Sequence, residues 1–510
     1  MPMTESGSLS IDGDSLTLRE LEQVANEATS AVTLTADARA RVARSRAVVE
    51  KAVQSRKVVY GVTTGFGRLS EVAIPHDKLA DLQVNLIRSH ACGVGPPLSR
   101  AETRAVTLLR ANVLAKGFSG VRPELVQMLV ELLNRGVHPV IPEQGSVGAS
   151  GDLAPLSHLA LVLIGEGEAE FQGEVMGGGE ALRRAALQPL TLGAKEGLAL
   201  NNGTQVQTGI GALVLCAAER LADSADVAGA ISLEGLRGTP DAFHPALHRA
   251  RPHPGQIASA ARLRSLLQGS EIRESHRHDD PRVQDAYSLR CMPQVHGAFR
   301  NALGYVRSVL ETEANSATDN PLIFPDEDGG IVLSGGNFHG QPVAQVLDLL
   351  AIALTDLASI SERRIERLVN PDLSDLPAFL TRDPGINSGM MLAQITAAAL
   401  VSECKVLSHP ASVDSIPTGA SREDHVSMGP HAARKARQVL RNAEVVIGIE
   451  AMCAAQALEF LSPLRPGVGV SRAYGHIRDR IAPLHDDRVL APDIEAAAEM
   501  VRQGVLAFDC

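Results

Sequence analysis

Leu347-Asp-Leu-Leu-Ala-Ile-Ala-Leu-Thr-Asp-Leu-Ala-Ser-Ile360 places leucine at 347, 350, 354 and 357, and Ile360, Ile365 and Leu368 carry the same side onward. Steps of three and four residues keep side chains on one face of an α-helix, so the stretch predicts a long helix with a buried stripe. Met391 to Leu407 and His431 to Leu458 are two more long, alanine-rich candidates without internal proline. Nearer the start, Thr17-Leu-Arg-Glu20 has the spacing of a capping box, and Thr35 to Ser55 reads as a second helix. Strand signals are short: Ala169 to Met176, ended by Gly177-Gly-Gly179, and Ile331 to Leu333. The expected fold class is mainly α, a long-helix bundle with a few short β-hairpins.

Composition agrees. Tryptophan is absent and aromatics are 3% of 510 residues, so the core is built from Leu, Ala, Val and Ile. Those residues suit close helix packing better than a β-sandwich. The formal net charge of −11 argues against nucleic acid or an anionic membrane as the main partner. The six cysteines, Cys92, Cys216, Cys291, Cys404, Cys453 and Cys510, stand singly, which fits reduced thiols in a cytoplasm. The N-terminus lacks the basic start and apolar run of a signal peptide, and no uncharged stretch is both long and apolar enough to span a bilayer. A cytoplasmic protein is expected.

The chemistry concentrates in Gly145-Ser-Val-Gly-Ala-Ser-Gly-Asp-Leu-Ala-Pro-Leu-Ser-His158. If this loop folds tightly, the Gly151 amide nitrogen can attack the Ala149 carbonyl carbon and close a five-membered ring. Loss of two waters, one of them carrying the Ser150 hydroxyl, leaves 4-methylideneimidazole-5-one, an electrophile no ordinary side chain supplies. Glycine at 151 lacks the Cβ that would block the compressed turn. The competing reading is a helix entry with Ser150 or Asp152 as N-cap. Gly419-Ala420-Ser421 repeats the small residues, but Arg422 follows where glycine would be required.

Other chemistries fit poorly. Gly61 to Gly67 has the wrong spacing for a dinucleotide fingerprint and reads as a mobile loop. Among sixteen histidines, His276-Arg-His278 and the pair His244 and His248 come nearest to ligand spacing. Pro245 disfavours a regular helix between the second pair, and solvated loop histidines are the expectation. Asp326 to Gly330 lacks the twelfth-position Glu of a calcium loop and reads as a turn.

Seven further segments resemble one family in order along the chain. They are Tyr60-Gly-Val-Thr-Thr-Gly-Phe-Gly67, Asn85-Leu-Ile-Arg-Ser-His90, Asn202-Gly-Thr-Gln205 and Gln284-Asp-Ala-Tyr-Ser-Leu-Arg290. Thr318-Asp-Asn-Pro321, Gly335-Gly-Asn-Phe-His339, and Ser412-Val-Asp-Ser-Ile-Pro417 with Glu423-Asp-His-Val-Ser-Met-Gly429 complete the set. With the Ala-Ser-Gly block they are similar to the histidine ammonia-lyases, within the wider group of aromatic amino-acid ammonia-lyases and aminomutases. The resemblance implies a helical homotetramer of ammonia-lyase and fumarase-like architecture. Its active sites draw loops from more than one subunit, its substrate is L-histidine, and the ring formed from Ala149, Ser150 and Gly151 is its only cofactor. It also implies 1–120 as an N-terminal helical region with an active-site loop, 121–462 as the bundle carrying the prosthetic group, and 463–510 as a C-terminal helical segment. Pro463 to Gly467 separates the last, unless all three form one catalytic domain.

On this resemblance Tyr60 takes the substrate's β-proton, which requires a depressed pKa. Asn202, Tyr287 and Glu423 complete the catalytic set. Arg290 grips the substrate carboxylate, Gln284 and Tyr287 share one helix face, His90 meets the substrate ring, and Phe338 and Met391 wall the pocket. Arg422, Asn201, Met292 and His296 depart from the family pattern, with Arg422 directly beside Glu423. A tyrosine or phenylalanine lyase and an aromatic 2,3-aminomutase share the prosthetic group. They are disfavoured by Glu423 and, less strongly, by His90. A catalytically silent helical assembly protein is disfavoured by the intact Ala-Ser-Gly and Tyr60.

Overall fold

A computed structural model describes residues 7–27, 29, 31–55, 58–65, 67–278, 280, 282–327 and 329–508, without the side chain of Arg68. Phe66, Asp328 and Cys510, all named in the sequence reading, lie outside the described residues. Helices dominate, and the longest are Gln205–Gly235, Met292–Ala314, Gln341–Val369 and Gly429–Glu459. Met391–Leu407 is helical over the span the sequence predicts. Thr17 and Glu20 form the capping box of Leu18–Ala25, and Thr35 caps Ala36–Gln54.

Strands are short, three or four residues each. Glu168–Phe171 and Glu174–Gly177 form the expected hairpin, joined by Val137–Pro139 into three strands. Gly178 does not merely end the hairpin: it opens the helix Gly178–Arg184. Leu322–Phe324 pairs antiparallel with Ile331–Leu333. In the turn between them the Asp326 carboxylate accepts the Gly330 N–H at 2.6 Å, as a turn residue does.

Two compact units interleave along the chain. One comprises 1–213, 307–347 and 410–434; the other comprises 214–306, 348–409 and 435–510. In the first, Val49, Val62 and Ile323 are fully buried in a cluster with Val48, Val59 and Leu79, which seats the segment around Tyr60 on the helix Ala36–Gln54. Full burial of such side chains contributes about 1.5–3 kcal/mol each.

Three expectations change. Gln341–Val369 is long and apolar enough to cross a membrane by length and composition, although it carries charges. Its Leu347, Leu350, Leu354 and Leu357 stripe is buried within the chain, and its Asp348 pairs with Lys435 Nζ at 3.0 Å, as in a core helix. Pro245 starts rather than blocks a helix, Pro245–Ala250, because proline's missing N–H costs nothing at the first helical position. His248 and His276 are buried rather than solvated: Gln256 bonds the former at 3.0 Å, and the Ile272 carbonyl accepts from the latter at 2.8 Å.

Candidate active site

The turn at 145–151 is compressed by its backbone. φ is +81° at Gly148, +51° at Ser150 and +74° at Gly151. For Ser150, which has a Cβ, left-handed backbone costs on the order of 1 kcal/mol or more. Gly151 lies against Gly203 so closely that a Cβ there would sit 2.2 Å from the Gly203 carbonyl oxygen. The same carbonyl accepts the Asp152 N–H at 2.7 Å. At the start of the turn, the Met428 N–H donates to the Val147 carbonyl at 3.0 Å, and a Cβ on Gly148 would sit 2.2 Å from Ser427 Oγ. Only glycine fits at 151, the residue whose nitrogen ring closure would use, and this cradle fits the methylideneimidazolone.

Asp152 departs from the simple capping expectation. It is the N-cap residue of Leu153–Leu163 without a side-chain capping bond there. Its carboxylate instead accepts the N–H groups of Val206 at 2.8 Å and Gln207 at 3.0 Å, at the start of Gln205–Gly235. Complete burial pushes its pKa up to about 7, against the pull of those two amides.

Asn201 and Asn202 differ in their donor partners, although the side-chain oxygen of each is buried with no hydrogen-bond partner among the described residues. Asn201 Nδ2 donates to Ser157 Oγ at 3.1 Å, tying it to the helix beneath the turn. The Asn202 carbonyl accepts from Arg110 Nη1 at 2.8 Å, and its amide donates to the Asn320 carbonyl at 3.4 Å. Arg110 is fully buried, and desolvation lowers its pKa to about 10. Beside it Lys195 Nζ meets Asp319 Oδ2 at 2.6 Å, both side chains wholly inaccessible. The sequence reading gave none of these three charges a role: Arg110 and Lys195 lie outside the quoted segments, and Asp319 stood in its segment without a partner.

Glu423 acts electrostatically on both Tyr60 and His90. Burial raises the Tyr60 phenol above its usual value of 10 and Glu423 adds to this, while a hydrogen bond to the Gly67 backbone and the charge of Arg422 pull it down. The expected depression is therefore reversed within the chain, because burial outweighs the nearby cation. His90 is lowered by burial against the Leu86 carbonyl and Glu423, which leaves a neutral ring at pH 7. Ser89 Oγ lies 3.0 Å from its Nδ1. Glu423 Oε2 accepts from Thr418 Oγ1 at 3.3 Å. Arg422 turns to Glu71 at 3.5 Å, an exposed pair of the kind worth about 0–1 kcal/mol.

The second unit carries Gln284, Tyr287, Arg290 and Met391. Tyr287–Arg290 is one helical turn, and Gln284 lies in a bend before it, so the two do not share a helix face as expected. Tyr287 is 72% exposed and the Arg290 guanidinium lies 4.8 Å from its ring centre. Arg290 Nε is buried without a hydrogen-bond partner among the described residues. Met391, half-buried, opens its helix. In the first unit Phe338 is half-buried beside His339, whose ring stacks on His425 at 5.8 Å. Of the remaining departures, Met292 is wholly buried, and His296 Nδ1 meets Asp226 at 2.8 Å.

Residues 16–479 match the family model for aromatic amino acid lyase. The chain is 57% identical over 497 residues to histidine ammonia-lyase of Myxococcus xanthus, covering 97% of each. Among solved structures it is similar to histidine ammonia-lyase from Trypanosoma cruzi, with 47% identity, a TM-score of 0.91, and coverage of 98% of this chain and 94% of that one. It is also similar to tyrosine aminomutase from Streptomyces globisporus, with 40% identity, a TM-score of 0.92, and coverage of 98% and 97%. With a compressed Ala-Ser-Gly turn and a family match over most of its length, this chain belongs to the aromatic amino acid lyase family.

Proposed function

We propose that the chain is a cytoplasmic, homotetrameric ammonia-lyase that converts L-histidine to trans-urocanate and ammonia, the first step of histidine degradation. The observation that carries the substrate assignment is Glu423, whose charge reaches both Tyr60 and His90. The relatives named histidine ammonia-lyase at 57% identity support it. Among the described residues all five cysteines are free thiols, which suits a reducing compartment. The ring formed from Ala149, Ser150 and Gly151 supplies an electrophilic methylene that makes the substrate amine a better leaving group.

The chain's own residues do the rest. Gly203 and Met428 hold the turn at its two ends, through Asp152 and Val147. Asn202 offers its unpaired side-chain oxygen to a donor on the substrate, and Arg290 offers a planar fork to the carboxylate. Tyr287 lies against that fork, and Gln284, Phe338 and Met391 complete the substrate pocket. Tyr60 takes the β-proton. His90 and Glu423 pair with the imidazole, which in its neutral form has one donor and one acceptor nitrogen. Phenylalanine would leave both groups unpaired, a mismatch on the order of 10⁴-fold in specificity.

The test is a purified-protein assay with histidine, phenylalanine and tyrosine, following ammonia and the isomerised amino acid. Histidine deamination should dominate, with Glu423→Gln depressing it severely and His90→Leu narrowing the preference over phenylalanine. Comparable kcat/KM for histidine and phenylalanine, or β-amino acid as main product, would overturn the reading.

A further inference from the structure

Within the second unit a buried network ends on the turn that carries Tyr287 and Arg290. Glu450 is wholly inaccessible and accepts four hydrogen bonds. Arg364 Nε reaches Oε1 at 2.5 Å and Nη2 reaches Oε2 at 2.8 Å. Ser232 Oγ donates to Oε1 at 2.7 Å and Ser361 Oγ to Oε2 at 2.6 Å. The carboxylate is saturated, so its orientation is fixed, and the bidentate fork fixes Arg364 with it. The third arm, Nη1, donates to the Ser288 carbonyl at 3.3 Å and lies 3.4 Å from His296 Nε2. His296 is held by Asp226 at its other nitrogen, and burial lowers its pKa, so Nε2 is an acceptor facing the guanidinium.

The turn runs on into the helix Met292–Ala314, with the Tyr287 carbonyl accepting the Cys291 N–H at 2.8 Å, and its Ser288 carbonyl is where the buried network meets it. Val283 is 96% exposed and Tyr287 72%, while Leu289 is its buried anchor. Asp285 fixes the entry by accepting the Thr239 N–H at 2.7 Å. A buried ion pair contributes little net stability compared with well-packed apolar residues, because desolvation offsets the attraction. What this one supplies is direction, delivered to the carbonyl between Tyr287 and Arg290.

We propose that Arg364, locked by Glu450, Ser232 and Ser361, is a positioning residue that sets the Tyr287–Arg290 turn and thereby aims Arg290 at the substrate carboxylate. The aiming rests on the histidine ammonia-lyase reading; the bracing of the turn does not.

Arg364→Lys keeps a cation for Glu450 but lacks a fork that can hold Glu450 and reach Ser288 together. Amide exchange at residues 287–291 should speed about tenfold or more while the rest of the unit keeps its protection. KM for histidine should rise about tenfold with kcat changing less than about threefold. In an Arg290→Lys background the same substitution should cost less than about threefold in KM, since the grip it aims is already lost. Unchanged exchange at 287–291 in folded protein, or KM penalties that multiply in full, would overturn the proposal. If Arg364→Lys does not fold, Ser361→Ala removes one strut of Glu450 and should give the same pattern in smaller measure. Wild-type exchange and KM in that variant would count equally against it. Wild-type protein that fails to deaminate histidine would defeat the functional reading alone, with the exchange measurement still deciding the bracing.

Discussion

Ser150 sits in left-handed backbone between two glycines that admit no side chain. The purified protein should therefore be lighter than its encoded mass by two waters within the peptide spanning 149–151. Ser150→Ala should keep the full mass and lose nearly all activity, and an unmodified peptide in active wild-type protein would defeat the ring chemistry. A second residue-scale expectation concerns Arg422, which favours the Tyr60 phenolate while burial and Glu423 oppose it. The base acts deprotonated, so removing the cation moves the rising limb of the pH–rate profile to higher pH. Arg422→Gln should lower activity at neutral pH by about two- to threefold, and high salt should shrink the difference, since an exposed charge is screened. A profile that stays put or moves to lower pH would exclude Tyr60 as the titrating base. Motif context singled out His90 and Glu423, and the charge of Glu423 does act on His90. The reversed shift of Tyr60 was not legible in the sequence, because burial is set by segments distant in sequence.

At the scale of elements, period and caps carried the prediction where contacts are local. Met391–Leu407 and the Thr17 and Thr35 caps follow from residues three and four apart. What stayed hidden was non-local: Asp152 caps a helix beginning at 205, and Lys195 reaches Asp319 across 124 residues. Gln284 misled because helical spacing was assumed across a bend. Lys195–Asp319 gives a stability test. Asp319→Asn leaves a buried ammonium without its counter-charge and should cost about 3–5 kcal/mol. Lys195→Met combined with Asp319→Leu should recover most of it. Urea midpoints read the difference, and an Asp319→Asn protein as stable as wild type would show that the pair is not needed to neutralise Lys195.

For the whole molecule, Tyr60 and Arg290 lie in different compact units, and the proposed homotetramer would bring them together from different subunits. Tyr60→Phe and Arg290→Ala should each be nearly inactive, and mixing them after reversible dissociation should restore some activity through hybrid tetramers. Full activity in a stable monomer would refute the shared site. The closing of the 145–151 turn by Ser427 and Met428 also has a consequence for biogenesis. The ribosome makes the strap some 280 residues after the turn, on the order of tens of seconds later at ordinary elongation rates. The ring-forming peptide must therefore wait, chemically unaltered, until the strap has emerged and docked. Dehydration of residues 149–151 would then mark completed folding, and nascent chains stalled before 427 should carry the encoded mass however long they are kept.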